Sequence, residues 1–195
     1  MAMERYVYSV NPGDIVINKT ELAMRLKAPK GFTNETIEKC LNLVKESIKP
    51  AGCYVKTPII PGENTVGFEF ASFVSEDLCK CLSGCREAYV MAVTLGIGTD
   101  RLIKKLSLIS GSEGFIADAV ASAYAEALLD NMCSHLEKEA AITPRFSPGY
   151  GDLDISVQRE ILDFLNADKI MALKLSENYI MIPRKSITAI CGIKE

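Results

Sequence analysis

Asp118, Ser122, Glu126 and Asp130 recur at intervals of four, so on a helix they form one polar stripe of three carboxylates and a hydroxyl. Shortly after them comes RFSPGYGD, residues 145–152, a loop by composition. It holds a guanidinium (Arg145), an aromatic hydroxyl (Tyr150) and a Ser147-Pro148-Gly149 turn whose glycine permits close approach to the backbone. Carboxylate, guanidinium and open backbone are the groups that an amino-acid zwitterion requires, since Arg pairs with a carboxylate through two charge-assisted hydrogen bonds. Residue types alone favour the plainer reading, a solvated helix face followed by a turn with a stacked tyrosine and a surface arginine.

Other groups that could do chemistry have simpler explanations. The lone histidine, His135, falls late in the same helix, where the dipole favours it, and no triad partner is indicated by spacing. Cys79, Cys81 and Cys85 match none of the paired zinc spacings. We read Cys81 and Cys85 as sharing a helix face and the group as helix packing; no metal site is expected. GIGTD, residues 96–100, lacks the third glycine of a dinucleotide fingerprint and reads as a tight strand-to-helix turn.

These residues must be positioned by an α+β fold. RYVYSV and DIVIN are short β-prone runs, and TELAMRLKA is a short helical segment ending before Pro29. Thr33 or Asn34 caps a helix with Ile37, Leu41, Val44 and Ile48 on one side, stopped by Pro50. CYVKTPII and NTVGFEF alternate as a strand pair, and Ser75 caps a short helix closed by Gly84. AYVMAVTLG, a continuous apolar run, is the expected central strand, covered on both faces. A helix starts at Thr99, Ser110 to Ser112 break it, and a long alanine-rich helix follows from about Glu113 to about Glu139. Ala117, Ala121 and Ala125, with Ala119, Ala123 and Ala127, let another element approach it closely. A capped helix carries Val157, Ile161, Leu162 and Leu165, after which ALKL, NYIMI and SITAICGI are expected as a hairpin or meander on the main sheet. The whole is a mixed, largely antiparallel sheet packed with several helices, one domain over residues 1–195.

The chain has 195 residues, 48% hydrophobic and 24% charged, with a net charge of −3, the profile of a globular protein that needs no disulfide or metal staple. Its longest mostly apolar stretch, residues 88–98, is far short of the roughly 20 residues of a membrane span. Glu4 and Arg5 interrupt the apolar segment a signal peptide would need, so a cytoplasmic protein with seven reduced cysteines is expected. Without basic clusters there is no footprint for nucleic acid or anionic lipid, and neither is expected as a partner.

RFSPGYGD resembles the Arg-x-x-x-Gly-Tyr motif of the activation (reactivation) domain of cobalamin-dependent methionine synthase, which binds S-adenosylmethionine. AYAEALLD resembles that family's helix with an Ala-Glu-Ala core, and LSENYIMIPRKSITA its C-terminal strand segment, so the resemblance spans residues 117–193. The family's long form has a tryptophan-bearing segment that adds an acidic ligand contact, and it continues with proline, cysteine and histidine where this chain has Gly151 and Asp152; this chain has no tryptophan. It is therefore similar to a free-standing, shortened relative that works in trans.

The resemblance implies a component of a vitamin B12-dependent methyltransferase in methionine biosynthesis. S-adenosylmethionine would be the methyl donor that, with one electron from a separate donor protein, rescues cob(II)alamin carried by a methionine synthase or another corrinoid protein. It assigns Arg145 to the ligand's carboxylate, Glu126 to its ammonium or another polar edge, and the backbone at Ser147 and Gly149 to the adenine or ribose. Tyr150 would pack near the sulfonium and is the one residue the resemblance puts in a catalytic role. The alternative is a non-catalytic module that senses S-adenosylmethionine or only docks to the corrinoid protein, with or without the ligand.

Overall fold

The computed structural model describes residues 4–26 and 34–194, and the expected cap Thr33 and the stop at Pro29 lie outside what it describes. Its backbone is a four-stranded antiparallel sheet, β1 (Arg5–Tyr8), β2 (Ala51–Pro58), β6 (Glu87–Thr94) and β9 (Ser186–Ile193), in the order β1-β2-β6-β9. On one face lie α1 (Lys19–Leu26), α2 (Asn34–Ser47), α4 (Ile97–Ile109) and the long α5 (Gly111–Leu136). The other face carries α3 (Glu76–Cys81), α6 (Gln158–Leu165), α7 (Ala167–Met171) and a small sheet of β3 (Ile60–Pro61), β4 (Thr65–Gly67) and β5 (Ser72–Val74). A ribbon of β7 (Lys174–Leu175) and β8 (Met181–Ile182) completes the elements.

The strand expected at the centre is there. Along β6, Tyr89, Met91 and Val93 enter the core beneath α5, while Ala88, Val90 and Ala92 enter the core beneath α6. Antiparallel sheets commonly leave one face in water and alternate apolar with polar residues. Here both faces are covered, which is why the run is apolar throughout. β2 and β9 alternate in the same way: Tyr54, Ala189 and Cys191 face α5, and Cys53, Val55 and Ile190 face α6.

Helix ends follow local chemistry. Ser75 accepts a hydrogen bond from the Leu78 amide at the start of α3, and Gly84 beyond its end takes φ +77°. Gly96 precedes α4 at φ +84°, and a Cβ there would lie 3.2 Å from the Lys49 carbonyl oxygen, so the GIGTD glycine serves the strand-to-helix turn.

Several expectations are corrected. DIVIN forms no strand: Pro12–Asp14 is a short 3-10 turn closed by the Asp14 amide on the Asn11 carbonyl, and Ile15 is buried beyond it. CYVKTPII and NTVGFEF are not strand partners over their length. Residues 51–58 instead form a full ladder with β6, and only Ile60–Pro61 folds back on Thr65–Gly67, because burial on both faces favours the central position for β2. α4 begins at Ile97 rather than Thr99, and the break expected over Ser110 to Ser112 shrinks to Ser110, which ends α4 and caps α5 through the Glu113 amide. α5 ends at Leu136, three residues before the expected end, where the chain turns off through the Glu139 amide to Leu136 carbonyl bond. α3 ends at Cys81, so Cys81 and Cys85 share no helix face. At the C-terminal end, ALKL and NYIMI do not join the main sheet. An unforeseen turn of helix, α7, buries Ala167 in the second core, Ala172 leaves it at φ +52°, and only two residues on each side pair in the β7–β8 ribbon. SITAICGI alone reaches the main sheet, pairing with β6 from Thr94↔Ser186 to Glu87↔Ile193.

Among the described residues no helix is long and apolar enough to cross a membrane, and no His, Cys, Asp and Glu side chains form a group that could hold a metal ion.

Candidate functional site

After α5 the chain returns along the outer edge of β9. The Thr143 amide bonds the Gly192 carbonyl at 2.8 Å, and Phe146 and Ile190 exchange amide-to-carbonyl bonds of 2.9 and 2.8 Å. Arg145, held between these two anchor points, reaches back to the polar stripe of α5. Its Nη2 donates to Glu126 Oε2 at 2.6 Å and its Nη1 donates to Asp130. Burial works against the guanidinium's charge, but the hydrogen bond to Asp130 and the fields of both carboxylates outweigh it and hold its pKa above the usual arginine value.

The turn that follows is fastened from inside and outside. The Gly149 amide bonds the Leu153 carbonyl at 2.8 Å, the Tyr150 amide bonds the Ser147 carbonyl at 3.2 Å, and Leu153 is buried. Gly149 adopts φ +87°, a conformation in which L side chains are strained. Asp152 ties the turn to α3: its carboxylate accepts from the Ser75 hydroxyl, from the Glu76 amide at 2.7 Å and from the Asp77 amide at 3.3 Å. The Ser75 bond, followed by the backbone bonds, holds the Asp152 carboxyl below its usual range. Cys81 strengthens the same seam by donating to the Pro144 carbonyl at 3.2 Å.

Together these elements enclose a cavity of about 380 Å³ lined by Glu126, Arg145, Phe146, Ser147, Tyr150 and Ile187. Small-molecule sites start at roughly 300 Å³. Four of the five residues singled out in the sequence, Glu126, Arg145, Ser147 and Tyr150, line it; Gly149 sits in the turn behind. Tyr150 stands at the rim with 66% of its surface exposed. A larger cavity of about 440 Å³ opens beside Gly96, Met171 and Pro183, so volume does not distinguish the site. Its lining by Glu126, Arg145, Ser147 and Tyr150 together does.

The stripe on α5 is not merely solvated. Lys185 Nζ lies 2.9 Å from both Asp118 Oδ1 and Ser122 Oγ, and Arg25 of α1 comes within 3.9 Å of Glu126 Oε1. Sequence reading overlooked Arg25, Lys185 and Asp152. Arg25 and Lys185 lie far from α5 in sequence, and Asp152, the last residue of the turn, finds its partners at the start of α3, so no local spacing points to these contacts. His135 is remote from these contacts: exposed on α5, its ring lies 5.5 Å from that of Tyr8. No disulfide joins the described cysteines. Cys85 packs against the end of β9, where a Cβ on Gly192 would lie 2.6 Å from its sulfur.

No family model matches the chain, and no curated protein sequence matches it. Among solved structures it is similar to the MetH reactivation domain, in a crystal structure bound to AdoHcy. The superposition has a TM-score of 0.75 and covers 98% of this chain and 78% of the other, at 13% sequence identity. The likeness first read from RFSPGYGD and its neighbours thus extends to nearly every element described above: the chain has the fold of the MetH reactivation domain.

Proposed function

We propose that the chain binds S-adenosylmethionine in the cavity between α5 and the 145–152 turn, and acts as the activation component for reductive methylation of cob(II)alamin on a methionine synthase or another corrinoid protein. One observation carries the reading. Arg145, Glu126, Ser147 and Tyr150 converge on a single cavity in a chain whose fold is that of a domain crystallised with AdoHcy.

The residues suit the ligand. The guanidinium of Arg145 already accommodates carboxylate oxygens, those of Glu126 and Asp130, so its donors are oriented for a ligand carboxylate. Glu126 supplies the opposite charge for the ammonium. The backbone around Ser147 and Gly149 is open to the adenine or ribose edge, and the exposed ring of Tyr150 offers a face to the sulfonium. When bound, S-adenosylmethionine supplies a methyl group to cobalamin carried by the partner's module, with one electron from a separate donor protein. The chain's own contribution is to fix the amino-acid end of the donor inside the cavity and leave its reactive end at the rim. The reading takes residues 1–195 as one domain working in the cytoplasm, where its thiols stay reduced.

Calorimetric titration of S-adenosylmethionine into the wild type and into Arg145→Ala tests the site. Saturable binding that the substitution weakens at least tenfold, or about 1.4 kcal/mol, is expected. No binding by the folded wild type refutes the reading. Restoration of methyl transfer to an inactivated corrinoid partner, with donor and reductant supplied, separates an activation component from a sensing or docking module, which restores nothing.

A further inference from the structure

Arg145 meets two carboxylates of different character. Glu126 lines the cavity and keeps only 28% of its side chain exposed, whereas Asp130, one turn further along α5, is 63% exposed and lies outside the lining. An α-amino acid brings one carboxylate and one ammonium on the same carbon. Arg145 and Glu126 alone complement that pair; a second acid on the arginine adds nothing to the match and occupies donors that the ligand carboxylate needs.

Resting on the proposed S-adenosylmethionine site, we infer that Asp130 is a specificity-determining competitor: its carboxylate occupies Arg145 Nη1 in the free chain, and a ligand must displace it with a carboxylate of its own. The exchange involves no covalent step. The guanidinium trades one carboxylate for another, and Asp130, on the exposed side of α5, returns to water without a desolvation cost. The device makes the site respond to the amino-acid end of a ligand. A nucleoside without a carboxylate has nothing with which to displace Asp130, and gains nothing from its removal.

The test is titration of S-adenosylmethionine and of 5′-methylthioadenosine, which lacks the amino-acid moiety, into the wild type and into Asp130→Asn, with folding checked by circular dichroism. Asp130→Asn is expected to bind S-adenosylmethionine roughly two- to fivefold more tightly, the range set by an exposed ion pair. Its affinity for 5′-methylthioadenosine should be unchanged. Equal or weaker binding of S-adenosylmethionine by a folded variant overturns the inference and makes Asp130 a support for Arg145, leaving the site itself intact. Tightening of both ligands alike also overturns it. If neither protein binds S-adenosylmethionine, the site assignment fails, and the inference with it. Asp130→Ser serves as the second variant if Asp130→Asn does not fold.

Discussion

At the scale of single residues, the chemistry depends on Arg145 being presented at a fixed place, and Asp152 contributes by fastening the turn that follows it. Its carboxylate sits at the start of α3 on the Ser75 hydroxyl and two backbone amides, so it pins the far side of the turn that carries Gly149 and Tyr150. These bonds favour the charged form and depress its pKa from 3.8. A depressed carboxyl stabilises the fold fully above its unfolded value, and that contribution disappears as pH falls through the folded value. Asp152→Asn should therefore unfold at lower urea concentration than the wild type at pH 7, and the gap should close as the pH drops below about 3.8. A gap that persists in acid would mean that the charge of Asp152 is irrelevant to the turn.

At the scale of elements, the site depends on how closely α4 and α5 pack, since α5 carries Glu126 and Asp130. Gly114 marks the contact: a Cβ there would lie 2.7 Å from the Ser107 Cα, a backbone atom that cannot move alone. Gly114→Val should cost roughly 1–3 kcal/mol by overpacking, measured by denaturant unfolding. A stable variant would show that α4 can shift without penalty. The same reasoning explains the alanine stripes. Ala117, Ala121 and Ala125 are all buried, as read from their spacing, and they bring the helix down onto its neighbours. The sequence reading found α5 because no proline interrupts it and alanine is the best helix former. It misread the segments around α7 and β7 because runs of two to five residues are decided by what buries them, not by propensity.

At the scale of the whole molecule, one sheet separates two apolar cores, and β6 is the wall they share. Met91 is fully buried on the α5 side. Met91→Ala should destabilise the chain by roughly 2–5 kcal/mol, read as a lowered unfolding midpoint; a loss below about 1 kcal/mol would mean that the core beneath α5 collapses around the gap. Because the return segment bearing Arg145 is bonded to the edge of β9, which is itself paired to β6, the site inherits the rigidity of this wall.

What the sequence determined by itself was carried by local regularities: the period-four stripe from Asp118 to Asp130, the apolar run of β6, the cap at Ser75, and the turn residues of RFSPGYGD. These depend on neighbours within a few residues, and a chain reveals them without folding. Only the tertiary structure decided that Asp130 and Glu126 share Arg145, that Asp152 grips α3 some 75 residues away, that Lys185 and Arg25 reach the stripe, and that β2 pairs with β1 and β6 rather than with the segment after it. Charges and strand edges take whichever partner the packed core brings within a few ångströms, and that distance is not encoded in any local spacing.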